Sequence, residues 1–134
     1  MKYQEIKEHY RSGHLACHYY EDDSGNRCGE FRRYYENGHL RWQVLYHDDF
    51  TLGEVKTIGI NGTLRQHYLQ NGKGKMLASV IDCGNPNTHS EEQLIQIAKE
   101  HGLPLLSDLP KTEAELTHWN LKWPDLPLLP IATE

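Results

Sequence analysis

Gly29-Glu30-Phe31-Arg32-Arg33-Tyr34-Tyr35-Glu36-Asn37-Gly38-His39-Leu40 is the stretch that decides the architecture of this chain. It holds an alternating run, a turn dipeptide and the first residue of a second alternating run. Beyond it, Leu40, Trp42, Val44 and Tyr46 alternate with Arg41, Gln43, Leu45 and His47, giving one apolar and one mostly polar face. That period of two is the signature of a half-buried strand. Ahead of the turn, Phe31, Arg33 and Tyr35 alternate with Glu30, Arg32 and Tyr34. Asn-Gly between two such runs predicts a β-hairpin, with a two-residue turn that needs positive φ at both Asn37 and Gly38.

The pattern recurs. Tyr10-Arg11-Ser12-Gly13-His14-Leu15 lies 25 residues upstream and Ile60-Asn61-Gly62-Thr63-Leu64 lies 24 downstream, measured between the turn glycines. Gly29-Glu30 and Gly53-Glu54 are also 24 apart, and Gly74-Lys75 reads as a shortened further start. A fixed period of this size means one supersecondary unit used repeatedly. Carried along the chain it predicts strands near 3–10, 15–20, 29–35, 40–47, 53–60, 64–70 and 74–81. The expectation is a mainly β fold, a meander of about seven antiparallel strands. A further turn would fall at Gly84, but Asn85-Pro86-Asn87 follows, and a proline there cannot donate to a ladder.

Residues 85–134 have a different grammar. Ser90-Glu91-Glu92-Gln93 is a capping box, after which Leu94, Ile97, Ala98 and His101 share a helical face until Gly102 and Pro104. Thr112-Glu113-Ala114-Glu115 opens a second helix in which Leu116, Trp119 and Trp123 share a face, stopped by Pro124. The tail Asp125-Leu126-Pro127-Leu128-Leu129-Pro130-Ile131 is apolar but too proline-rich for a helix or central strand. Residues 1–84 therefore read as a hairpin array, and 85–134 as two helices and a tail that cap it within one domain. The Pro124–Pro127 and Pro127–Pro130 spacings offer the alternative of a proline-rich ligand.

Charge is unevenly placed. Residues 1–84 hold eleven basic and eleven acidic side chains, while 85–134 hold three against eight, so the formal net charge of −5 belongs to the C-terminal part. Direct nucleic-acid binding asks for the opposite sign. No window approaches a membrane span, and the start of the chain, without an apolar leader run, leads to the expectation of a cytoplasmic protein. Cys17, Cys28 and Cys83 read as free thiols.

Catalytic and metal readings find little support. His14, Cys17, His18 and Cys28 lack the paired spacing of a zinc site. Cys17 and His18, adjacent on a strand, face opposite sides and cannot act as a nucleophile and base. No phosphate loop or nucleophile elbow is present. The expectation is a protein without enzymatic activity, cofactor or metal.

Partner-binding candidates come from charge and aromatic patterning. Glu21, Asp22, Asp23, Asp48 and Asp49 occupy the same phase of the repeat and are expected to project from one edge, where they would meet a basic partner. Tyr34 and Tyr46 belong to an aromatic strip that suits either repeat packing or contact. Glu113 and Glu115 extend the acidic character into the second helix.

The stretch Gly29 to Leu40 resembles the MORN-variant repeat, whose units read Gly-x-x-x-x-Tyr-Tyr-x-Asn-Gly-x-Leu. The resemblance covers roughly residues 4–84, is strongest in the second unit, and is weakened in the third, where Ile58-Gly59-Ile60 replaces the double aromatic. It implies an elongated array of hairpins and partner binding. Bacterial proteins of this kind are often labelled YwqK-type antitoxins, so the implied function is a cytoplasmic antitoxin or immunity protein that neutralises a cognate toxin by direct contact, such as a basic nuclease. The alternative implied by other MORN proteins is a scaffold or membrane-associated interaction module.

Overall fold

The computed structural model describes residues 3–81 and 89–130. Seven strands follow in order: β1 (Gln4–His9), β2 (Leu15–Glu21), β3 (Arg27–Tyr34), β4 (Leu40–His47), β5 (Phe50–Ile58), β6 (Leu64–Asn71) and β7 (Met76–Ile81). Each pairs antiparallel with its sequence neighbours in a single sheet ordered β1 to β7. Helix α1 (Glu91–His101), a 3-10 turn (Leu106–Asp108) and helix α2 (Glu113–Lys122) complete the chain. The mainly β meander and the two C-terminal helices match the sequence expectation. Cys83, Gly84 and the Asn85-Pro86-Asn87 stop lie outside the described residues.

The repeat turns differ from the expected type. At 35–39, Tyr35 N donates to His39 O at 2.8 Å and Gly38 N to Tyr35 O at 2.9 Å, and the same pairs recur at 10–14 and 59–63. Only the glycine is left-handed, with φ +91° at Gly38. Asn37 instead lends its side chain, whose Oδ1 accepts from His39 N at 3.0 Å, as Asn61 Oδ1 does from Thr63 N at 3.1 Å. These are type I turns closed by a glycine bulge; a second bulge follows in each unit, where the register shifts at Glu8/His9, Arg33/Tyr34 and Thr57/Ile58 leave Ala16, Arg41 and Arg65 as the extra residues. The two-residue turn with both φ positive lies at Asp48 (+48°) and Asp49 (+68°). Gly74 sits in the 71–75 turn and is not a strand-starting glycine, because its counterpart in the array is Gly25 in the 22–26 loop.

Consecutive units are stitched by tyrosines. Tyr10 Oη donates to the Tyr34 carbonyl at 2.6 Å, and Tyr35 Oη donates to the Ile58 carbonyl at 2.7 Å. These bonds reach 24 and 23 residues along the chain, one repeat each. Tyr10→Phe and Tyr35→Phe are each expected to cost about 1 kcal/mol in urea unfolding, while leaving the far-UV spectrum unchanged.

The C-terminal chain then returns across one face in the reverse order of the strands. Helix α1 is opened by the Ser90 capping box and closed by Gly102 at φ +66°. It lays Leu94 and Ala98 on Leu69 and Ala78 of β6 and β7. Trp119 of α2 and Leu126 of the tail cover Leu45. Leu45, Leu69 and Leu94 are fully buried, each contributing about 1.5–3 kcal/mol of burial. His89 guards the β7 edge: its N donates to Ser79 O at 3.0 Å and its Nδ1 accepts from Ser79 N at 3.2 Å.

Candidate functional site

The Gly-Glu starts are where the sheet grips its own C-terminal chain. Glu54 N donates to the Pro104 carbonyl at 3.1 Å and Glu54 Oε1 accepts from Leu106 N at 2.8 Å. One repeat earlier, Glu30 N donates to the Pro127 carbonyl at 2.8 Å and Glu30 Oε1 accepts from Leu129 N at 3.1 Å. The two gripped segments have the same sequence, Leu103-Pro104-Leu105-Leu106 and Leu126-Pro127-Leu128-Leu129. Gly29 and Gly53, at φ +75° and +84°, are required because a Cβ at either would collide with the proline carbonyl. A glutamate without its glycine would lose this close approach.

Each gripping glutamate is itself positioned thirteen residues on. Glu54 Oε2 meets His67 Nε2 at 2.6 Å, with Lys56 Nζ at 3.9 Å. Glu30 Oε2 accepts from Gln43 Nε2 at 3.1 Å and from Arg32 Nε. In the first unit Glu5 meets His18 at 2.9 Å, but Gln4 replaces the glycine and the Glu5 side chain is 44 % exposed. Burial works to raise the Glu54 carboxyl, yet hydrogen bonds from His67 and Leu106 N and the charge of Lys56 hold it below its ordinary value.

The opposite face of the sheet has no such cover among the described residues. Its cluster is made of strand residues alone: Cys17, Phe31, Val44, Tyr46 and Val55, with Tyr19, Trp42 and Tyr68 packed against them. Phe31 is central, with ring centroids 4.9 Å from Tyr19, 5.5 Å from Trp42 and 5.4 Å from Tyr46. The aromatic rings shield the small aliphatics, so this face is apolar at its floor while presenting amphipathic rims. Arg27 lies over the Tyr46 ring at 4.7 Å.

A cavity of about 390 Å³ opens at the turn end of this face. Arg33, Arg41, Arg65, Trp42, Tyr35 and Tyr68 line it, with Thr57 and Gln66 joined by a 3.2 Å hydrogen bond in its wall. The Trp42 indole Nε1 is shut off from solvent and has no acceptor among the described residues. A buried donor left so costs about 1–3 kcal/mol, and such a group calls for an explanation.

The candidate residues from the sequence fall into three places. Loops 22–26 and 48–49 do lie at one end of the sheet, joined by Arg27, whose Nε donates to Asp49 Oδ1 at 2.9 Å. That bond holds the Asp49 carboxyl below its ordinary value, so part of the acidic edge is internally neutralised. Asp22 is an intraloop acceptor for Ser24 N and Asn26 N, and Asp23, Asp48 and Glu21 remain at the rim. Tyr46 is buried in the aromatic floor, and Tyr34 hydrogen-bonds Arg32. Glu113 and Glu115 belong to neither group; they stand in the first turn of α2, where Glu115 Oε2 accepts from Lys111 N at 2.8 Å. Glu115 borders a hollow of about 780 Å³ between α1 and α2.

Cys17 and Cys28 are free and buried. Burial and the Glu8 charge raise the Cys17 thiol, and burial with Asp22 pushes Cys28 to about 11, so both stay protonated and poorly nucleophilic. Among the described residues no three His, Cys, Asp or Glu side chains converge as metal ligands, and no helix is long and apolar enough to cross a membrane.

Sequence reasoning missed the grip and the arginine cavity. The grip had a signal, since the twin Leu-Pro-Leu-Leu segments are spaced 23 apart against 24 for the Gly-Glu pairs. The cavity had a weaker one, because Arg33, Arg41 and Arg65 flank the turns from different strands and meet only through the pairing register. A scan against family models and searches of the curated proteins and of the solved structures found no match for this chain.

Proposed function

We propose that this protein is a non-catalytic binding protein that neutralises a protein toxin by docking it on the uncovered face of the sheet. The toxin reading comes from the resemblance to MORN-variant antitoxins. The docking face comes from the contrast between the two sides of the sheet, which is the observation that carries the proposal. One side is sealed by the chain's own helices and Leu-Pro-Leu-Leu segments. The other offers Tyr19, Trp42 and Tyr68 over a rigid floor, with arginines at its rim. Tyr, Trp and Arg are the residue types that dominate binding energy at interfaces.

The test is capture of the partner from the native cell, followed by expression of that partner alone and together with this protein. The partner alone is expected to arrest growth and the pair to grow. Tyr19→Arg or Tyr68→Arg is expected to weaken the complex at least about tenfold, as loss of a central aromatic contact does. Leu121→Ser, an exposed position on α2, leaves it unchanged. A partner harmless on its own contradicts the toxin reading, and equal loss from Leu121→Ser contradicts the docking face.

A further inference from the structure

We propose that β1 is a dimerisation edge, on which a second copy of this chain pairs antiparallel with Ile6 opposite Ile6 and Glu5 opposite Lys7. The two sheets then continue into one another. Such a dimer needs no toxin partner and stands apart from the docking face proposed above.

The two edges of the sheet are treated differently. At β7 the chain covers its own edge, with His89 N donating to Ser79 O at 3.0 Å and His89 Nδ1 accepting from Ser79 N at 3.2 Å. At β1 no strand lies outside among the described residues, and Gln4, Glu5, Lys7 and Glu8 are exposed, which places exposed side chains on both faces of the strand. An edge of this kind presents backbone donors and acceptors to another strand. The strand is also fixed in place. On one face Glu5 Oε2 meets His18 Nε2 at 2.9 Å, and on the other Glu8 Oε1 accepts from Tyr19 Oη at 3.1 Å. An edge already held on β2 needs little further ordering to bind.

The sequence of β1 selects the occupant. Its register on β2 is regular from Gln4 to Glu8 and shifts only between Glu8 and His9, so the straight stretch is centred on Ile6. Pairing that stretch with itself about its centre sets Glu5 against Lys7 on both sides of the two-fold axis, and Gln4 against Glu8. Opposite charges directly across an antiparallel pair attract, and like charges repel. Sliding the second copy by two residues brings Glu5 onto Glu5 or Lys7 onto Lys7. Sliding it by one turns the second sheet over and sets Glu5 or Lys7 against Ile6. Charges that ordinarily keep other strands off an edge here select one register of one partner.

The centre of the junction is apolar. Ile6 lies across from Tyr19, which packs on Phe31 in the open-face cluster. Ile6 against Ile6 extends that floor from one copy to the next, with both open faces on the same side of the joined sheet. Glu5 uses Oε2 for His18 and its side chain is 44 % exposed, which leaves Oε1 for Lys7 of the second copy. One short strand buries less than a permanent dimer needs, so the association is weak and depends on concentration.

Sedimentation velocity of the full-length protein at low salt, from about 10 µM to about 1 mM, tests the proposal. The wild type is expected to pass from one chain to two across that range, with β1 amides gaining hydrogen-exchange protection as the concentration rises. Lys7→Glu and, separately, Glu5→Lys are each expected to weaken the dimer at least about tenfold, because two attractive pairs become repulsive. An equimolar mixture of these two variants is expected to associate again, as is the double variant Glu5→Lys with Lys7→Glu, since both arrangements restore opposite charges across the junction. Lys7→Glu changes an exposed side chain, and decides the matter even if Glu5→Lys disturbs the His18 contact. A protein that is monomeric at about 1 mM overturns the proposal, as does a dimer that Lys7→Glu leaves intact. Protection of the β1 amides in the monomer would assign the edge to residues 131–134 and overturn it as well.

Discussion

Gly53→Ala is expected to cost at least about 3 kcal/mol of unfolding free energy, far more than an alanine adds at an equally left-handed glycine in a turn. Two costs combine at Gly53. Its φ of +84° strains any residue with a Cβ, and that Cβ would also collide with the Pro104 carbonyl oxygen. To relieve the collision the Leu103-Pro104-Leu105-Leu106 segment must lift, which breaks both hydrogen bonds to Glu54 and disturbs Leu105 against Leu69 and Leu94. Gly38 is the control: its φ is +91°, but a Cβ there meets nothing within 4 Å. Gly38→Ala is expected to cost about 1–2 kcal/mol, the strain alone. Urea unfolding of the two variants at one pH measures the difference. Equal losses would mean that the close approach of the proline carbonyl is not a source of stability.

Glu54→Ala is expected to be the most damaging side-chain truncation, at about 3–5 kcal/mol. Glu54 is 6 % exposed and its partner His67 is 2 % exposed. Removing the carboxylate strands the imidazole and leaves Leu106 N without its acceptor, so the cost is that of buried polar groups as well as of one interaction. The same group predicts an acid-sensitive fold. Its folded pKa lies below the ordinary 4.5, so the stability it supplies is fully present above pH 4.5 and is lost as pH falls through the lower folded value. Asp49, held down by Arg27, and Glu5, held down by His18, act in the same direction from more exposed sites. Denaturation midpoints of the wild type are expected to fall below pH 4.5, and those of Glu54→Gln to fall less steeply over the same interval. Parallel pH profiles would assign the acid sensitivity elsewhere.

The hairpin array was legible because its determinants are local. Ser12-Gly13, Asn37-Gly38 and Asn61-Gly62 turn the chain and the alternation beside them places the faces. The turn type was misread because asparagine has two ways of making a turn: it tolerates positive φ, and it can accept a hydrogen bond two residues on. Asn37 and Asn61 use the second. Asp48-Asp49 hid its two-residue turn because neither residue is a glycine, although aspartate is among the few types that tolerate the geometry. The capping boxes at Ser90 and Thr112 were readable for the same local reason.

The site was far less legible. The Glu30 to Leu129 bond spans 99 residues, and the Tyr20 hydroxyl reaches the Leu128 carbonyl across 108. No periodicity within the array specifies which tail residues lie over it. Formal charge misled in a related way, since counting Asp and Glu by segment says nothing of the face they occupy. Arg27 absorbs Asp49, Arg32 serves Glu30 inside the sealed side, and Arg33 with Arg41 and Arg65 gathers on the open one. The electrostatics that a partner meets are therefore set by strand register and by its interruptions, since the bulges at Arg41 and Arg65 bring those side chains beside their neighbours Trp42 and Gln66.

The division of labour between the two faces is tested most directly by residue-resolved hydrogen exchange on the free protein and on its complex with the captured partner. The predicted result is new protection on binding along the open face, at Arg33, Trp42, Thr57 and Gln66, with exchange on α2 and at Leu128 and Leu129 unchanged. Protection confined to α2 and the Leu126–Leu129 segment, with the open face exchanging as before, would contradict the account.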